Sequence, residues 1–307
     1  MDTAYHQGEI ELQKRFGGTD IAGRASRVIK DKIIPGAIPF IENQPFVILS
    51  SKDSNENIWT SILIGKSGWI DAKKEGLIKF FLDKMNSIDS DNIIKEIKSN
   101  DQVGMIVIEL GTRRRYRING RIQHHNTHLD FIIQEAYPNC PKYIQRRIPS
   151  FVNTEKELIS SINGATLNSM QKLWIAQSDT FFVGSQSKSG FLDASHRGGN
   201  PGFIEILENG DLKIPDYHGN SMYNTLGNLL ETPKAGLLFI DFEKGSILQL
   251  TGTTSFLFDQ FSDKDKVNTT ETGRYWLFKT EAWIQTNKHH KVDWELIDNS
   301  PFNPNHV

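Results

Sequence analysis

Residues 191–203 read FLDASHRGGNPGF, and they begin the part of the chain that decides the fold. The residues before Asn200 alternate as they would in a strand, and the Pro201-Gly202 pair interrupts that pattern. Alternation resumes at residues 203–207, Asn209-Gly210 is typical of a tight hairpin, and residues 212–214 supply the returning strand. These residues therefore predict a strand, a turn and a hairpin at the edge of a β-sheet.

A helix is predicted directly after this hairpin. Residues 221–231 have helical spacing, Pro233 stops the pattern, and Asn220 or Ser221 is positioned to cap the first turn. Gly219 stands just ahead of the predicted start. The first backbone N–H groups of a helix lack partners and the dipole is positive there. We therefore expect a phosphate-sized pocket between the helix start and the sheet edge.

The order of the motifs in this region carries a resemblance. They are DASHRGG at 193–199, PGF at 201–203, PDY at 215–217, GN at 219–220, NTLGNL at 224–229 and GLLFIDF at 236–242. This ordered set resembles the FMN-binding split β-barrels of the pyridoxamine 5′-phosphate oxidase-like superfamily, in particular its larger bacterial members of unknown substrate. NCPKYIQ at 139–145 and YHQGE at 5–9 also recur in those members, so the resemblance covers most of the chain.

The resemblance implies a mainly β protein with flanking helices (α+β), built as two tandem FMN-binding split β-barrels. It implies an FMN-dependent oxidoreductase that transfers two electrons to or from a small-molecule substrate, with NADH or NADPH as an electron donor and a homodimer as the assembly. No acid or base is named. The residues expected to bind the cofactor are Ser195, His196, Arg197, Gly198, Pro215, Asp216, Tyr217, Asn220, Asn224, Thr225 and Asn228.

Two alternatives to a flavoenzyme stay open. The first is a non-catalytic protein that holds a flavin, another phosphorylated cofactor or haem, and the second is a structural remnant that binds nothing. The C-terminal residues 294–299 do not match the basic segment with which pyridoxamine phosphate oxidases hold the substrate phosphate. Vitamin B6 oxidation is therefore not the favoured reaction.

Composition limits the class of protein. The chain has 307 residues, of which 37% are apolar and 10% aromatic, so we expect a folded protein with room for two domains. A formal net charge of −2 argues against a nucleic acid or a membrane surface as partner. A single cysteine, Cys140, excludes a disulfide within the chain. With a polar N-terminus and no long apolar segment, a cytoplasmic protein is expected.

The chain contains an internal repeat. Residues 103–110 align with residues 235–242 at a separation of 132 residues, and the same separation places Gly120 on Gly252. Residues 59–61 fall on residues 193–195 at nearly the same separation. Such a period predicts a duplicated domain. We assign residues 1–40 to an N-terminal helical or extended segment, 41–150 to a structural first repeat, 151–177 to a linking helix and 178–307 to the FMN-binding second repeat.

Further elements follow from local patterns. We expect a short helix at 5–16, strands at 46–50, 58–64, 68–70, 103–110 and 113–122, two helical stretches at 79–98, a linking helix at 154–177, closing strands at 275–278 and 282–285, and a loosely ordered tail from residue 298.

Asp193, Ser195 and His196 have the residue types of a hydrolytic triad, but on a strand His196 points away from the other two. Asp193, Ser195 and Arg197 share a face that suits the polar edge of a flavin or a phosphate, or an ordinary solvated face. Related proteins place an Arg or Lys beside the phosphate helix, where this chain has Asn224 and Thr225. Arg197, His218 or a basic residue from elsewhere would have to supply the charge.

The run TRRRYRINGR at 112–121 has two interpretations. One is a nucleic-acid patch, for which a single aromatic residue is weak support. The favoured one is an anion-facing wall in which Arg113, Arg115, Arg117 and Asn119 share a strand face, joined by Lys142, Arg146 and Arg147. For His124, His125 and His128 a surface loop is favoured over a metal site, since no carboxylate or thiolate cluster accompanies them, and Cys140 is read as a packed thiol.

Overall fold

The computed structural model describes residues 4–85, 97–98, 101–151, 159–290 and 292–304. Its α-helices are α1 (Gln7–Arg15), α2 (Thr19–Ala25), α3 (Ile38–Glu42), α4 (Ser169–Gln177), α5 (Asn224–Glu231) and α6 (Asp263–Thr269). Its strands are β1 (Phe46–Lys52), β2 (Ile58–Ile64), β3 (Ile70–Asp71), β4 (Leu77–Phe81), β5 (Gln102–Glu109), β6 (Arg114–His124), β7 (His128–Asn139), β8 (Arg146–Phe151), β9 (Ser160–Gly164), β10 (Thr180–Gln186), β11 (Leu192–Gly198), β12 (Glu205–Ile206), β13 (Leu212–Pro215), β14 (Lys234–Asp241), β15 (Ser246–Leu257), β16 (Tyr275–Asn287) and β17 (Val292–Asp298). Across these ranges, no helix is long and apolar enough to cross a bilayer.

Two antiparallel sheets share one topology. The first half of the chain forms a sheet of order β2-β1-β5-β6-β7-β4-β3, and the second half forms one of order β11-β10-β14-β15-β16-β13-β12. Counted from its own first strand, each sheet reads 2-1-5-6-7-4-3. Strand β9 joins the second sheet beside β16, while β17 pairs with β8. The repeat found in the sequence is therefore also a repeat of strand order.

The glycines aligned in the sequence occupy equivalent β-bulges. The β6–β7 register shifts at Asn119/Gly120, and the β15–β16 register shifts at Thr251/Gly252. A Cβ at Gly120 would lie 2.0 Å from the Ile132 carbonyl oxygen, and one at Gly252 would lie 2.0 Å from that of Lys279. Both bulges therefore require glycine because the partner backbone leaves no room for a side chain.

The inner strands are buried on both faces, because the two sheets pack against each other. In β1, Val47 and Leu49 enter the core of the first half, whereas Phe46 and Ile48 enter a second core between the halves. Phe182 and Leu238 reach that shared core from the second half. Alternate side chains of one strand thus serve two cores, as the period of two in a strand requires.

Close backbone contacts hold the two halves together reciprocally. A Cβ at Gly104 would lie 2.5 Å from the backbone of Asp193, and a Cβ at Gly236 would lie 2.5 Å from the Ile58 carbonyl oxygen and 2.7 Å from Trp59 Cα. Gly104 and Gly236 are the pair aligned at 132 residues in the sequence, as Trp59 and Asp193 are aligned with each other. At each of these equivalent glycines, the missing side chain leaves room for the backbone of the equivalent strand in the opposite half.

Several elements differ from the sequence expectations. The linking helix expected at 151–177 is wrong at Ser160–Gly164, which is a strand paired with β16, whereas Ser169–Gln177 is helical as expected. Asn168 caps that helix by accepting from the Gln171 N–H at 2.9 Å. Residues 79–81 belong to β4 rather than to a helix. The helices predicted at 86–96 and 152–158 lie outside the described residues.

The end of the second sheet is also more continuous than expected. The two closing strands are one, Tyr275–Asn287, and β17 extends the ordered chain to Asp298. The tail is not loose over residues 300–304: Ser300 N donates to Gln145 Oε1 at 2.7 Å, and Asn303 Nδ2 donates to Asn200 Oδ1 at 2.9 Å. Because these partners lie more than 100 residues away, no local pattern predicted them.

Candidate functional site

A cleft opens where the start of β6 and the end of β7, in the first half, meet β11, β13 and the start of α5 in the second half. Its lining includes Arg115, Arg117, Asn139, Cys140, Lys142 and Tyr143 from the first half. From the second half it includes Ser195, His196, Arg197, Gly198, Phe203, Pro215, Asp216, Tyr217, His218, Gly219, Asn220, Ser221, Tyr223, Asn224, Thr225, Leu226 and Arg274. The cleft therefore lies between the two halves of one chain.

Ten of the eleven residues expected to bind a cofactor line this cleft. They are Ser195, His196, Arg197, Gly198, Pro215, Asp216, Tyr217, Asn220, Asn224 and Thr225. Asn228 does not line the cleft; it is buried one turn along α5, where its Nδ2 donates to Ser185 Oγ at 3.0 Å. The structure thus gathers the residues of the motifs, and their role toward a cofactor stays a prediction.

Strand β11 meets the first half through Arg117. The Arg117 Nη1 and Asp193 Oδ2 atoms are 3.1 Å apart, and Arg117 also donates to Ser195 Oγ. Arg197 Nη1 donates to the same hydroxyl at 2.9 Å. Asp193, Ser195 and Arg197 therefore share a face, as expected. Burial, the largest single influence, lowers the pKa of Arg117, but Asp193, Tyr137 and Glu9 together raise it by more, so the pKa is raised overall and Arg117 stays charged.

His196 is placed as a neutral acceptor and not as a catalytic base for Ser195. Its Nδ1 lies 3.3 Å from Arg115 Nη1, and its ring packs edge-on against Phe182 with centroids 5.6 Å apart. Burial first, and then the charges of Arg115 and Arg197, hold the pKa of His196 well below its usual value. Because guanidinium only donates, the neutral ring accepts at Nδ1. With Asp193 held by Arg117, the residues do not form a hydrolytic triad.

Positive charge dominates the cleft. Two of its cations have carboxylate partners, since Arg117 pairs with Asp193 and Arg274 Nε lies 2.9 Å from Asp216 Oδ2. Within the described ranges, Arg115, Arg197 and Lys142 make no ion pair. Burial, reinforced by Arg117 and Arg197, lowers the pKa of Arg115 to about 9. The cations repel one another, and a bound anion would relieve that repulsion.

Only some of the basic residues that were expected to line an anion-facing wall lie in the cleft. Arg115 and Arg117 do face the cleft, with Lys142. Arg113 does not share their face, because it adopts a left-handed conformation (φ 56°) before β6 and pairs with Asp298. Arg146 pairs with the same carboxylate at 2.8 Å, and Arg147 pairs with Asp179 at 2.6 Å.

His218 lines the cleft but does not supply positive charge. Burial, followed by the charges of Arg274 and Lys142, lowers the pKa of its imidazole. Since the usual value already lies near 6.5, the ring is neutral at physiological pH. The positive charge of the cleft therefore comes from the arginines and Lys142.

The start of α5 differs from the sequence expectation. The helix begins at Asn224 rather than at residue 221, and its N-cap is Tyr223, which lies in the left-handed region at φ 60° and makes no side-chain cap. Ser221 also has a positive φ, of 58°. Asn220 Oδ1 accepts from the Met222 N–H at 3.1 Å, so Asn220 shapes the loop instead of capping the helix. Such strained non-glycine residues concentrate at functional sites.

Helix α5 is anchored from behind by α1. Gly8 N donates to Glu231 Oε1 at 3.0 Å, and Asn224 donates to Glu9. A Cβ at Gly8 would lie 2.3 Å from the Gly227 carbonyl oxygen, which explains why the motif at 5–9 carries a glycine. The N-terminal segment therefore fixes the helix that faces the cleft.

Tyrosines form the aromatic part of the lining. The rings of Tyr143 and Tyr217 lie 4.8 Å apart at 37°, and Tyr143 Oη donates to the His218 carbonyl at 3.1 Å. Burial raises the pKa of Tyr143 to about 12, so its hydroxyl stays protonated. A Cβ at Gly198 would lie 2.1 Å from the Tyr143 carbonyl oxygen. The glycine of the motif therefore allows the first half to approach the end of β11.

Five cleft residues carry buried polar atoms that, in the described part of the chain, lack a hydrogen-bond partner. They are Arg117 Nε, Asn139 Nδ2, His196 Nε2, Arg197 Nε and Thr225 Oγ1. A buried donor left unsatisfied costs about 1–3 kcal/mol. These donors, the unpaired cations and the nearby helix start fit an oxygen-rich anionic ligand such as a phosphate ester.

Two lining residues were missed at the sequence level. Arg274 follows Gly273 without a local signal, and it reaches the site because Tyr275 pairs with Pro215 across β16 and β13. Tyr223 was read as an interior helix residue, and only its αL conformation places it at the mouth. Tyr143 and Cys140 stand within the NCPKYIQ motif, which marked them as part of the resemblance.

Comparisons with known proteins find similarity only among solved structures. No protein-family model and no curated protein matches the chain. A protein from Lactobacillus delbrueckii described as a pyridoxamine 5′-phosphate oxidase is 13% identical, with a TM-score of 0.31, over 40% of this chain and 97% of its own. An FMN-binding protein from Syntrophomonas wolfei is 16% identical, with a TM-score of 0.28, over 37% of this chain and 81% of its own. The haem storage protein HutZ from Vibrio cholerae is 11% identical, with a TM-score of 0.29, over 39% and 95%.

The solved structures that are similar to this chain thus include one described as FMN-binding and one described as a haem storage protein. Each similarity extends over about two fifths of the chain, and identities and TM-scores this low assign neither a ligand nor an activity. The sheets of this chain are mainly antiparallel and a few helices accompany them.

Proposed function

We propose that this chain is an FMN-dependent oxidoreductase of the pyridoxamine 5′-phosphate oxidase-like family, built from two tandem split barrels that hold FMN in the cleft between them. The observation that carries the proposal is the convergence of Arg115, Arg197 and Lys142, none of which has an ion-pair partner in the described part of the chain, on a cleft walled by tyrosines. A phosphate ester attached to an aromatic ring system matches both features.

The phosphate would be held by the cationic end of the cleft. Arg197 and Arg115 offer guanidinium groups, which bind phosphate oxygens through two parallel N–H donors. The N–H groups at the start of α5 add a favourable dipole. The hydroxyl of Thr225, buried without a partner among the described residues, is a further donor for this end.

The ring system would lie along the aromatic and polar lining. Tyr143 and Tyr217 supply ring faces, and the protonated Tyr143 hydroxyl fixes the loop at His218. When bound, FMN supplies two-electron transfer chemistry at its ring. The chain's residues bind it, orient it and limit the access of water to it, and no acid or base is assigned.

The lining residues of the cleft come from both halves of one chain. We therefore propose that a single chain supplies the residues that hold the cofactor. We further propose that the protein is a cytoplasmic homodimer that acts on a small-molecule substrate, with NADH or NADPH as the electron donor.

The alternative function is a non-catalytic carrier of a flavin, another phosphorylated cofactor or haem. One observation favours haem among these ligands: His218 lines the cleft as a neutral imidazole, the form that ligates iron, and Cys140 lies in the same lining. Haem propionates would meet the same arginines.

The test begins with the absorption spectrum and mass of whatever co-purifies with the full chain. A flavin spectrum with the mass of FMN supports the proposal, a Soret band supports the haem alternative, and a colourless protein that takes up neither ligand contradicts both. Bleaching of the flavin by NADH or NADPH then separates an enzyme from a carrier.

The single cysteine gives a second measurement, independent of colour. Cys140 is the only thiol of the chain, is partly buried and lines the cleft, so alkylation by iodoacetamide reports on that place alone. We expect added FMN to slow the alkylation of Cys140 as measured by intact mass. Equal rates with and without FMN would place the flavin elsewhere.

A further inference from the structure

The hairpin between β6 and β7 gathers two histidines and an aspartate. His125 N donates to the His128 carbonyl at 2.9 Å, which closes the turn, and the two imidazole rings stack with centroids 4.5 Å apart at 14°. Asp130 lies two residues along β7. The sequence interpretation favoured a surface loop because no carboxylate or thiolate cluster accompanies these histidines; in the structure the nearby carboxylate of Asp130 joins His125 and His128, and His124 is not part of the group.

The spacing of the three side chains matches that of metal ligands. His125 Nε2 lies 3.2 Å from Asp130 Oδ2, His128 Nε2 lies 3.4 Å from Asp130 Oδ1, and the three ligand atoms fall within 4.8 Å of one another. In a tetrahedral zinc site with bonds of about 2.0–2.2 Å, neighbouring ligand atoms stand about 3.4 Å apart. The group is thus already close to the ligand spacing of such a site.

The contacts within the group are poor hydrogen bonds. Asp130 Oδ1 is buried and has no hydrogen-bond partner in the described part of the chain, although His128 Nε2 is 3.4 Å away. A buried carboxylate oxygen without a partner costs free energy. A cation between the carboxylate and the two rings would satisfy that oxygen and both imidazole nitrogens.

Thr127 orients one of the rings. Its hydroxyl lies 3.1 Å from His128 Nδ1, and Phe81 packs against the same ring with centroids 6.5 Å apart. When Nδ1–H donates to the hydroxyl, Nε2 carries the lone pair and faces Asp130. Such support behind a histidine is typical of metal ligands.

We propose that His125, His128 and Asp130 bind one divalent transition-metal ion of the zinc class, with the remaining position open to water. Two imidazoles and a carboxylate suit such ions better than Mg²⁺ or Ca²⁺, which prefer oxygen ligands. Arg115 and His124 are nine positions apart on β6, a path of at most about 30 Å along the strand, so the metal site lies at the other end of β6 from the cleft. It is independent of the proposed FMN site.

The test uses the full chain, stripped with a chelator and titrated with Co²⁺ and then with Zn²⁺. We expect one ion per chain, visible Co²⁺ absorption bands that Zn²⁺ abolishes, and affinity that falls by more than about a hundredfold in His125→Ala and Asp130→Asn. Thr127→Val should weaken binding by about tenfold to a hundredfold. His124→Ala, a neighbour outside the group, should bind as the unaltered chain does.

Three results would overturn the proposal. They are the absence of stoichiometric binding, an affinity that His125→Ala and Asp130→Asn leave unchanged, and an equal loss in His124→Ala. Because the hairpin is surface-exposed at His125, these variants should retain the melting temperature of the unaltered chain, which shows that the fold survives.

Discussion

Arg117 and Gln249 are equivalent residues of the two halves, 132 positions apart, and each donates to a serine of the opposite half. Gln249 Nε2 lies 2.8 Å from Ser61 Oγ, and Arg117 makes the same contact with Ser195. Ser61 and Ser195 are themselves aligned in the repeat. One member of this symmetric pair is charged and the other is neutral, which places the cationic cleft on one side only.

The charged member is the basis of the first prediction. Arg117→Met leaves the buried Asp193 carboxyl without its partner, so we expect the free energy of unfolding to fall by about 3–5 kcal/mol. Removing both charges in Arg117→Met/Asp193→Leu should restore much of the loss. Urea denaturation measures both. A single variant as stable as the unaltered chain would show that the pair does not join the halves.

The close approach of the halves gives a second prediction. Gly236→Ala places a methyl group 2.5 Å from the Ile58 carbonyl oxygen, so we expect a loss of about 1–3 kcal/mol. Gly23→Ala is the matched control: its Cβ would meet nothing within 4 Å in α2, and helix propensity favours alanine by up to about 1 kcal/mol. Thermal melts should therefore move in opposite directions. If both move upward, the packing between the sheets is looser than described.

Because of the buried carboxyl of Glu9, we predict that the free energy of unfolding falls as pH rises. Burial raises the pKa of this carboxyl from 4.5 to about 8, so the folded chain keeps a proton that the unfolded chain releases. Its contribution is fully present below pH 4.5 and is lost as pH rises through 8. Glu9→Gln should flatten this part of the pH profile and be the more stable form at pH 8. If the free energy of unfolding of Glu9→Gln changes between pH 5 and 8 in parallel with that of the unaltered chain, Glu9 is not the group responsible.

For the buried imidazoles of His289 and His290 we predict the opposite pH dependence: their contribution to the free energy of unfolding is lost as pH falls. Burial lowers their pKa values from 6.5 to about 3 and about 4, so they stay neutral in the folded state while the unfolded chain takes up protons below pH 6.5. Their contribution is fully present above pH 6.5 and is lost as pH falls toward 4. Replacing both with glutamine should reduce the fall in unfolding free energy between pH 6.5 and pH 4.5. An unchanged fall would assign the acid sensitivity to other groups.

The repeat could be predicted from sequence because it rests on local signals. Gly104 and Gly236 begin similar apolar strands, and Gly120 and Gly252 mark the same bulge. The ten motif residues gathered in the cleft lie in short segments whose turns are set by nearby Pro and Gly. Here, sequence order was enough to indicate which residues meet.

The differences arise where distant contacts override local pattern. Residues 160–164 read as helical, but β16 pairs with them more than 100 residues later. The polar tail is ordered because Gln145 and Asn200 hold it. Helix α5 starts at Asn224 because Tyr223, directly before it, adopts a left-handed conformation. None of these partners is visible in a sequence window.

The most direct test of the cofactor cleft compares the affinities of FMN and riboflavin, which differ only in the phosphate. Arg115→Ala and Arg197→Ala are the variants, and Arg114→Ala is the control, because Arg114 is exposed on β6 and packs over Phe40 instead. A charge-assisted hydrogen bond is worth about 1.5–3 kcal/mol, so the Kd for FMN should rise by about tenfold to a hundredfold in either variant. Riboflavin binding should not change, and Arg114→Ala should bind both ligands normally. FMN affinities that stay the same in Arg115→Ala and Arg197→Ala would contradict the proposal that these arginines bind the phosphate of FMN in the cleft.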